Sequence, residues 1–123
     1  MKRNGAKKKK PEPNRFADLE KTFKDWKAGK IKFRASILED GGKKRFTWEE
    51  SGPEYKKRLE RLSLFKAIRA ELGLSQAGMA KVIRVATKTL QGWEIGKPIP
   101  DPIFILVELI HEMPAVRKRL LAA

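Results

Sequence analysis

The chain has 123 residues, 41% of them hydrophobic, and carries 29 Lys and Arg against 15 Asp and Glu, a formal net charge of +14. That length gives one ordinary domain with a small core, and the charge points to a polyanionic partner: DNA, RNA or an acidic membrane surface. With no cysteine, a disulfide framework, a thiolate metal site and a thiol nucleophile are all excluded, and a reducing cytoplasm is the simplest location.

In chain order, residues 1–15 hold seven Lys or Arg and one Glu, with residues 7–10 a block of lysine. Mutual repulsion with nothing apolar to offset it predicts a disordered basic tail, serving either as a solubilising segment or as a phosphate-contacting arm. It lacks the apolar stretch of a signal peptide. In residues 16–53, Phe16, Leu19, Phe23 and Trp26 recur at helical spacing, and Gly29 ends that helix. Ile31, Phe33 and Ala35 then alternate with Lys32, Arg34 and Ser36, as in a strand. Asp40-Gly41-Gly42 reads as a turn; Phe46 and Trp48 are too isolated to assign. One helix and one strand cannot bury both apolar faces, and a lone strand leaves its edge unpaired. This segment therefore either folds onto the rest of the chain or waits for another protein. Gly52-Pro53 marks the boundary.

Residues 54–123 read as four or five helices. The first, over 54–72, has a stripe of Tyr55, Leu59, Leu62, Phe65, Ile68 and Leu72, closed by Gly73. Ser75 caps a helix over 76–83, and another runs from about Thr87 to Ile95, ended by Gly96 and Pro98. Asp101 is a good N-cap, with Pro102 in the first turn, for a helix reaching Met113. This helix is apolar nearly all round, and its surplus predicts a homodimer surface at Phe104, Val107, Ile110 and His111. Its longest apolar run, residues 103–107, is far shorter than the ~20 residues a membrane helix needs. Pro114 opens a last short helix.

Residues 75–96 carry the functional argument. Two short helices joined by about four residues cross steeply. Ala80 is small enough for close approach, and Met79, Val82, Ile83, Val85, Leu90 and Trp93 seal the crossing. Thr87, Lys88, Thr89 and Gln91 leave a polar tip on the second helix, suited to reading base edges in a major groove. Gln76, with the free amides opening the first helix, suits a phosphate.

This passage resembles the lambda-repressor-like (Cro/CI, XRE) helix-turn-helix family through Gln76, Ala80, Val85, Leu90, Trp93, Glu94 and Gly96. The resemblance implies an ion pair between Arg69 and Glu94. Three positions depart from the family: Arg84 stands where glycine is usual, Ala86 replaces a Ser or Thr cap, and Gly92 replaces a longer side chain. More widely, the order of a Phe16–Phe23 helix, a Gly29-Lys30 strand, the helix-turn-helix and the Pro100-Asp101-Pro102 helix is similar to HigA-type antitoxins. That likeness implies a small RelE/HigB-like toxin that cuts mRNA as partner, held by Phe16, Leu19, Phe23, Trp26, Ile31, Phe33, Ile37 and Leu38, and repression of the chain's own operon. The alternative is a free-standing phage- or plasmid-type repressor. RNA binding suits the charge but not the helix-turn-helix spacing. An enzyme is disfavoured: the single histidine, His111, lies on an apolar helix, and no metal-ligand spacing or cofactor motif accompanies it.

Overall fold

The structure, a computed structural model, describes residues 15–122, with side chains from Ala17 onward. The basic tail expected over 1–15 lies outside the described residues apart from Arg15, which opens the first helix. That helix, α1 (Arg15–Lys27), ends at Gly29 in the left-handed region (φ +85). There the Gly29 and Lys30 amides donate back to the Trp26 and Asp25 carbonyls.

The next element is a hairpin. Strands β1 (Phe33–Glu39) and β2 (Lys44–Glu50) pair antiparallel, from Phe33 opposite Glu50 to Glu39 opposite Lys44. Phe46 and Trp48, unassigned from sequence, are what makes the strand at 33–39 viable: they sit opposite Ile37 and Ala35 and share its half-buried face. The turn between the strands holds Asp40, Gly41 and Gly42 at positive φ. Of the two alternatives for this segment, folding onto the rest of the chain or waiting for another protein, the structure has the first: it completes its own sheet, and α1 packs on the helix that follows.

α2 (Gly52–Glu71) starts earlier than its apolar stripe suggests. Ser51 is its N-cap: the Ser51 hydroxyl accepts from the Glu54 amide while the Glu54 carboxylate accepts from the Ser51 amide at 2.8 Å. A Cβ on Gly52 would stand 2.7 Å from the Lys27 Cα and 2.9 Å from the Trp26 carbonyl oxygen. Only glycine lets α2 begin this close to the end of α1. Beside that junction the Trp26 indole donates to the Glu50 carbonyl at 2.9 Å.

α3 (Gln76–Val82), α4 (Thr87–Glu94), α5 (Asp101–Glu112) and α6 (Pro114–Ala122) complete the chain. One core unites Phe65 and Ile68 of α2, Met79 and Ala80 of α3, Leu90 and Trp93 of α4, and Phe104, Val107 and Ile110 of α5, with Ile83 and Ile99 from the connections. Phe65 and Trp93 meet edge to face at 6.2 Å. Asp101 does not cap α5. The cap position is Pro100, and the Asp101 carboxylate instead accepts from Arg61 of α2 at 2.5 Å. Among the described residues no helix is long and apolar enough to cross a membrane.

Candidate nucleic-acid interface

The interface is built from α3 and α4. Ser75 caps α3, its hydroxyl accepting from the Gly78 amide at 3.0 Å. α3 ends with the Val85 amide on the Ala80 carbonyl and the Arg84 amide on the Lys81 carbonyl, which forces Arg84 to φ +63. This is the backbone state glycine would serve, as the family departure at this position implied. Ala86, the N-cap of α4, offers no side-chain hydrogen bond, so that helix start lacks the cap a Ser or Thr would supply.

Glu94 locks the two helices to α2. Its carboxylate, 4% exposed, accepts from Arg69 at 2.7 and 3.0 Å and from Gln76 at 2.9 Å. Arg69 also donates to the Leu74 carbonyl at 3.0 Å, fixing the loop between α2 and α3. Burial works against the charge on Glu94, but the hydrogen bonds from Arg69 and Gln76 and the guanidinium's field outweigh it, so the carboxyl titrates below the ordinary glutamate range. The Arg69–Glu94 pair that the resemblance implied is present. It orients α4 about its own axis: Leu90 and Trp93 point into the core, while Lys88, Thr89 and Gln91 are exposed and Thr87 is half-buried.

Residues 65–106 match the family model described as Helix-turn-helix. The chain is a DNA-binding transcriptional regulator. Its DNA-binding part has the lambda-repressor-like fold, with α3 and α4 as the helix-turn-helix. No curated protein and no solved structure matches the chain.

Of the residues expected to meet DNA, the structure brings Lys88, Thr89 and Gln91 together on the exposed side of α4, with Gln76 beside them: the Gln91 amide donates to the Gln76 side-chain oxygen at 3.2 Å. Gln76 is thus tied on one side to Glu94 and on the other to Gln91. Lys88 is paired to Asp40 of the hairpin turn at 3.0 Å, and this pairing, with the lysine's charge, holds the Asp40 carboxyl below its usual range. Gly92 is buried because the stem of Lys97 lies across it, with the Lys97 Cδ 3.1 Å from where a Cβ would be.

Among the residues expected to hold a toxin, Leu19, Phe23, Phe33 and Leu38 are exposed (64, 51, 40 and 56%). Trp26 and Ile31 are half-buried, and the Phe16 side chain lies outside the described residues. Trp26 stacks between Phe23 at 5.7 Å and Phe33 at 5.4 Å. Ile37 is half-buried, its Cγ2 3.5 Å from where a Cβ on Gly96 would stand at the end of α4. The dimer expectation needs correcting. Phe104, Val107 and Ile110 are 7, 0 and 0% exposed; they belong to the protomer's own core and are not free for a second copy. His111 is half-buried and pairs with Glu71 of α2 at 2.8 Å. The exposed apolar residues near it are Ile105, Leu109 and Met113.

Sequence reasoning missed Arg58. It donates two hydrogen bonds to Glu50, at 2.8 and 2.7 Å, and a third to the Gly96 carbonyl at 3.0 Å, and stacks on Trp48 and Tyr55. One guanidinium thereby joins the hairpin, α2 and the end of α4. Burial of Glu50 opposes its charge, yet the Arg58 and Trp48 hydrogen bonds prevail and hold its carboxyl below the ordinary range. On a helix surface such an arginine is indistinguishable from a solvated one until its partners are known.

Proposed function

We propose that the chain is a cytoplasmic antitoxin and autorepressor: a homodimer whose two α4 helices read an operator, and whose N-terminal segment holds a small RelE/HigB-like mRNA-cleaving toxin. The observation that carries the DNA half is the exposed trio Lys88, Thr89 and Gln91 on α4, oriented by the Arg69–Glu94 clamp. A helix so presented fits the major groove, and these side chains suit base edges. What supports the partner half is the apolar surface left after the hairpin has folded. Leu19, Phe23, Phe33 and Leu38 stay exposed although the Trp26 stack was available to bury two of them. Exposed aromatics beside a rigid stack are the kind of surface that protein partners anchor on. On the resemblance to HigA-type antitoxins, that partner is the toxin.

Two measurements test the reading. Lys88→Ala with Gln91→Ala should abolish discrimination between a duplex the wild type selects from a random pool and an unselected one, with the helical signal unchanged. Undiminished discrimination removes α4 as the reading element. Co-expression with the product of the adjacent reading frame, followed by pull-down, should capture a small basic toxin. Phe23→Asp with Leu38→Asp should release it. Capture that survives both substitutions refutes the toxin surface, and an adjacent product that never binds leaves the free-standing repressor.

A further inference from the structure

The geometry points to the tip of the β1–β2 hairpin as a second DNA-contacting element, a wing whose Lys43 and Lys44 engage phosphates at the rim of the groove that α4 enters. This rests on the reading of α4 as the recognition helix, and it adds a contact surface that neither the helix-turn-helix family match nor the antitoxin resemblance assigns.

The first argument is position. An α-helix with its side chains is about 10–12 Å across and the major groove of B-DNA about 12 Å wide, so a helix lying in the groove fills it. Whatever stands immediately beside that helix sits over the groove wall, which is phosphate. Asp40, at the hairpin turn, is 3.0 Å from the ammonium of Lys88, a residue of the reading surface.

The second is rigidity. Glu39 pairs with Lys97 just beyond α4 at 2.5 Å, and the Lys97 ammonium lies 4.4 Å from the centre of the Phe46 ring. Arg58 bonds to both Glu50 of β2 and the Gly96 carbonyl. Held at the tip and at the base, the hairpin moves with α4, and seating one seats the other.

The third is charge and shape. The two carboxylates at the hairpin tip are each engaged by a lysine, Glu39 by Lys97 just beyond α4 and Asp40 by Lys88 of α4. Lys43 and Lys44 remain exposed, Lys44 only loosely placed 3.7 Å from Asp40. Gly41 and Gly42 have nothing within 4 Å of where a Cβ would stand. At these two positions the turn brings no side-chain bulk to hold a duplex off, and its backbone is free to approach one closely.

Each phosphate contact contributes about 0.9 to the slope of log K against log salt on duplex DNA. The test measures the full chain by fluorescence anisotropy on a random-sequence duplex and on a duplex that the wild type selects from a random pool. Lys43→Ala with Lys44→Ala should lower the slope by about 1.8 on both, so a fourfold rise in salt weakens this variant about twelvefold less than the wild type. Its preference for the selected duplex should not change. Lys118→Ala with Arg119→Ala on α6, a helix that packs on α5, should keep the wild-type slope. Lys43→Gln with Lys44→Gln repeats the experiment with long side chains should the alanines disturb the hairpin. A wild-type slope in both hairpin variants overturns the wing. So does tighter binding, which would make the hairpin a cover over α4. A wild type that selects no sequence removes the reading of α4, and the wing with it.

Discussion

Arg84 stands where three other helix ends among the described residues have glycine. α1, α2 and α4 close on Gly29, Gly73 and Gly96, at φ +85, +69 and +130; α3 closes on Arg84 at φ +63. The left-handed state costs an L-residue about 1–2 kcal/mol, partly offset because glycine loses more entropy on folding. Arg84→Gly should therefore raise stability by about 0.5–1 kcal/mol, read from the urea midpoint at unchanged slope; a lower midpoint would mean the Arg84 side chain makes compensating contacts. Glu94 and Glu50 give the pH dependence. Both carboxyls sit below the ordinary glutamate value of 4.5 in the folded chain. Groups shifted this way contribute stability that is present above the unfolded value and lost as pH falls through the folded one. Unfolding free energy should hold from neutral pH to about pH 5 and fall steadily below the 4.5 of an ordinary glutamate. Glu94→Gln should cost about 2 kcal/mol at neutral pH by stripping charge from two Arg69 hydrogen bonds. It should also flatten the acid limb, and a limb as steep as the wild type's would place the titration elsewhere.

At the scale of elements, α3 and α4 were legible because their signals are local. A cap at Ser75, apolar spacing through Trp93 and a stop at Gly96 all lie within one short stretch, and the structure repeats them. The hairpin was half legible. Its first strand alternates visibly, but the second declares itself only through pairing, Phe46 with Ile37 and Trp48 with Ala35. The Ser51-Gly52-Pro53-Glu54 capping box is local too, but its Gly-Pro pair by itself marks a boundary and not the helix that begins there. What joins hairpin to helices was not readable at all. Arg58 finds Gly96 38 residues on, and Arg61 finds Asp101 40 residues on. Local patterns carry no record of such pairings. The same blindness applies to Gly52, whose need for glycine exists only because α1 passes 2.7 Å from its absent Cβ. The atoms it would strike are backbone, which cannot swing aside. Gly52→Ala should thus displace α1 and cost about 1–3 kcal/mol, visible as a lower urea midpoint with loss of the Trp26 environment in fluorescence. A midpoint within error of the wild type would show that α1 is free to shift at no cost.

For the whole molecule, the question is how a single small domain reaches useful specificity. On the proposed reading, one helix carrying Lys88, Thr89 and Gln91 covers few base pairs, and operator-binding helix-turn-helix proteins solve this by presenting two helices about 34 Å apart through two-fold symmetry. The residues first expected to join two copies, Phe104, Val107 and Ile110, are committed to the core. α5 is therefore two-faced: its inner side completes the domain, while Ile105 (53% exposed) and Leu109 (39%), one turn apart on its outer side, run on to Met113 (46%) at its C-cap. That stripe is where the proposed homodimer would close. Its location sets an expectation that separates dimerisation from folding, since substitutions there leave the core untouched. Ile105→Glu with Leu109→Glu should raise the dimer dissociation constant at least about thirtyfold, in keeping with the loss of a buried apolar anchor pair, with an unchanged helical signal and a urea midpoint that no longer depends on protein concentration. Sedimentation velocity checks the mass, and the same variant should lose cooperative binding to a two-half-site duplex while keeping its affinity for a single half-site. If it sediments as the wild type does, the stripe is not the dimer surface. If the wild type is itself monomeric at concentrations where it binds DNA, specificity must come from one helix and whatever lies beside it on the duplex.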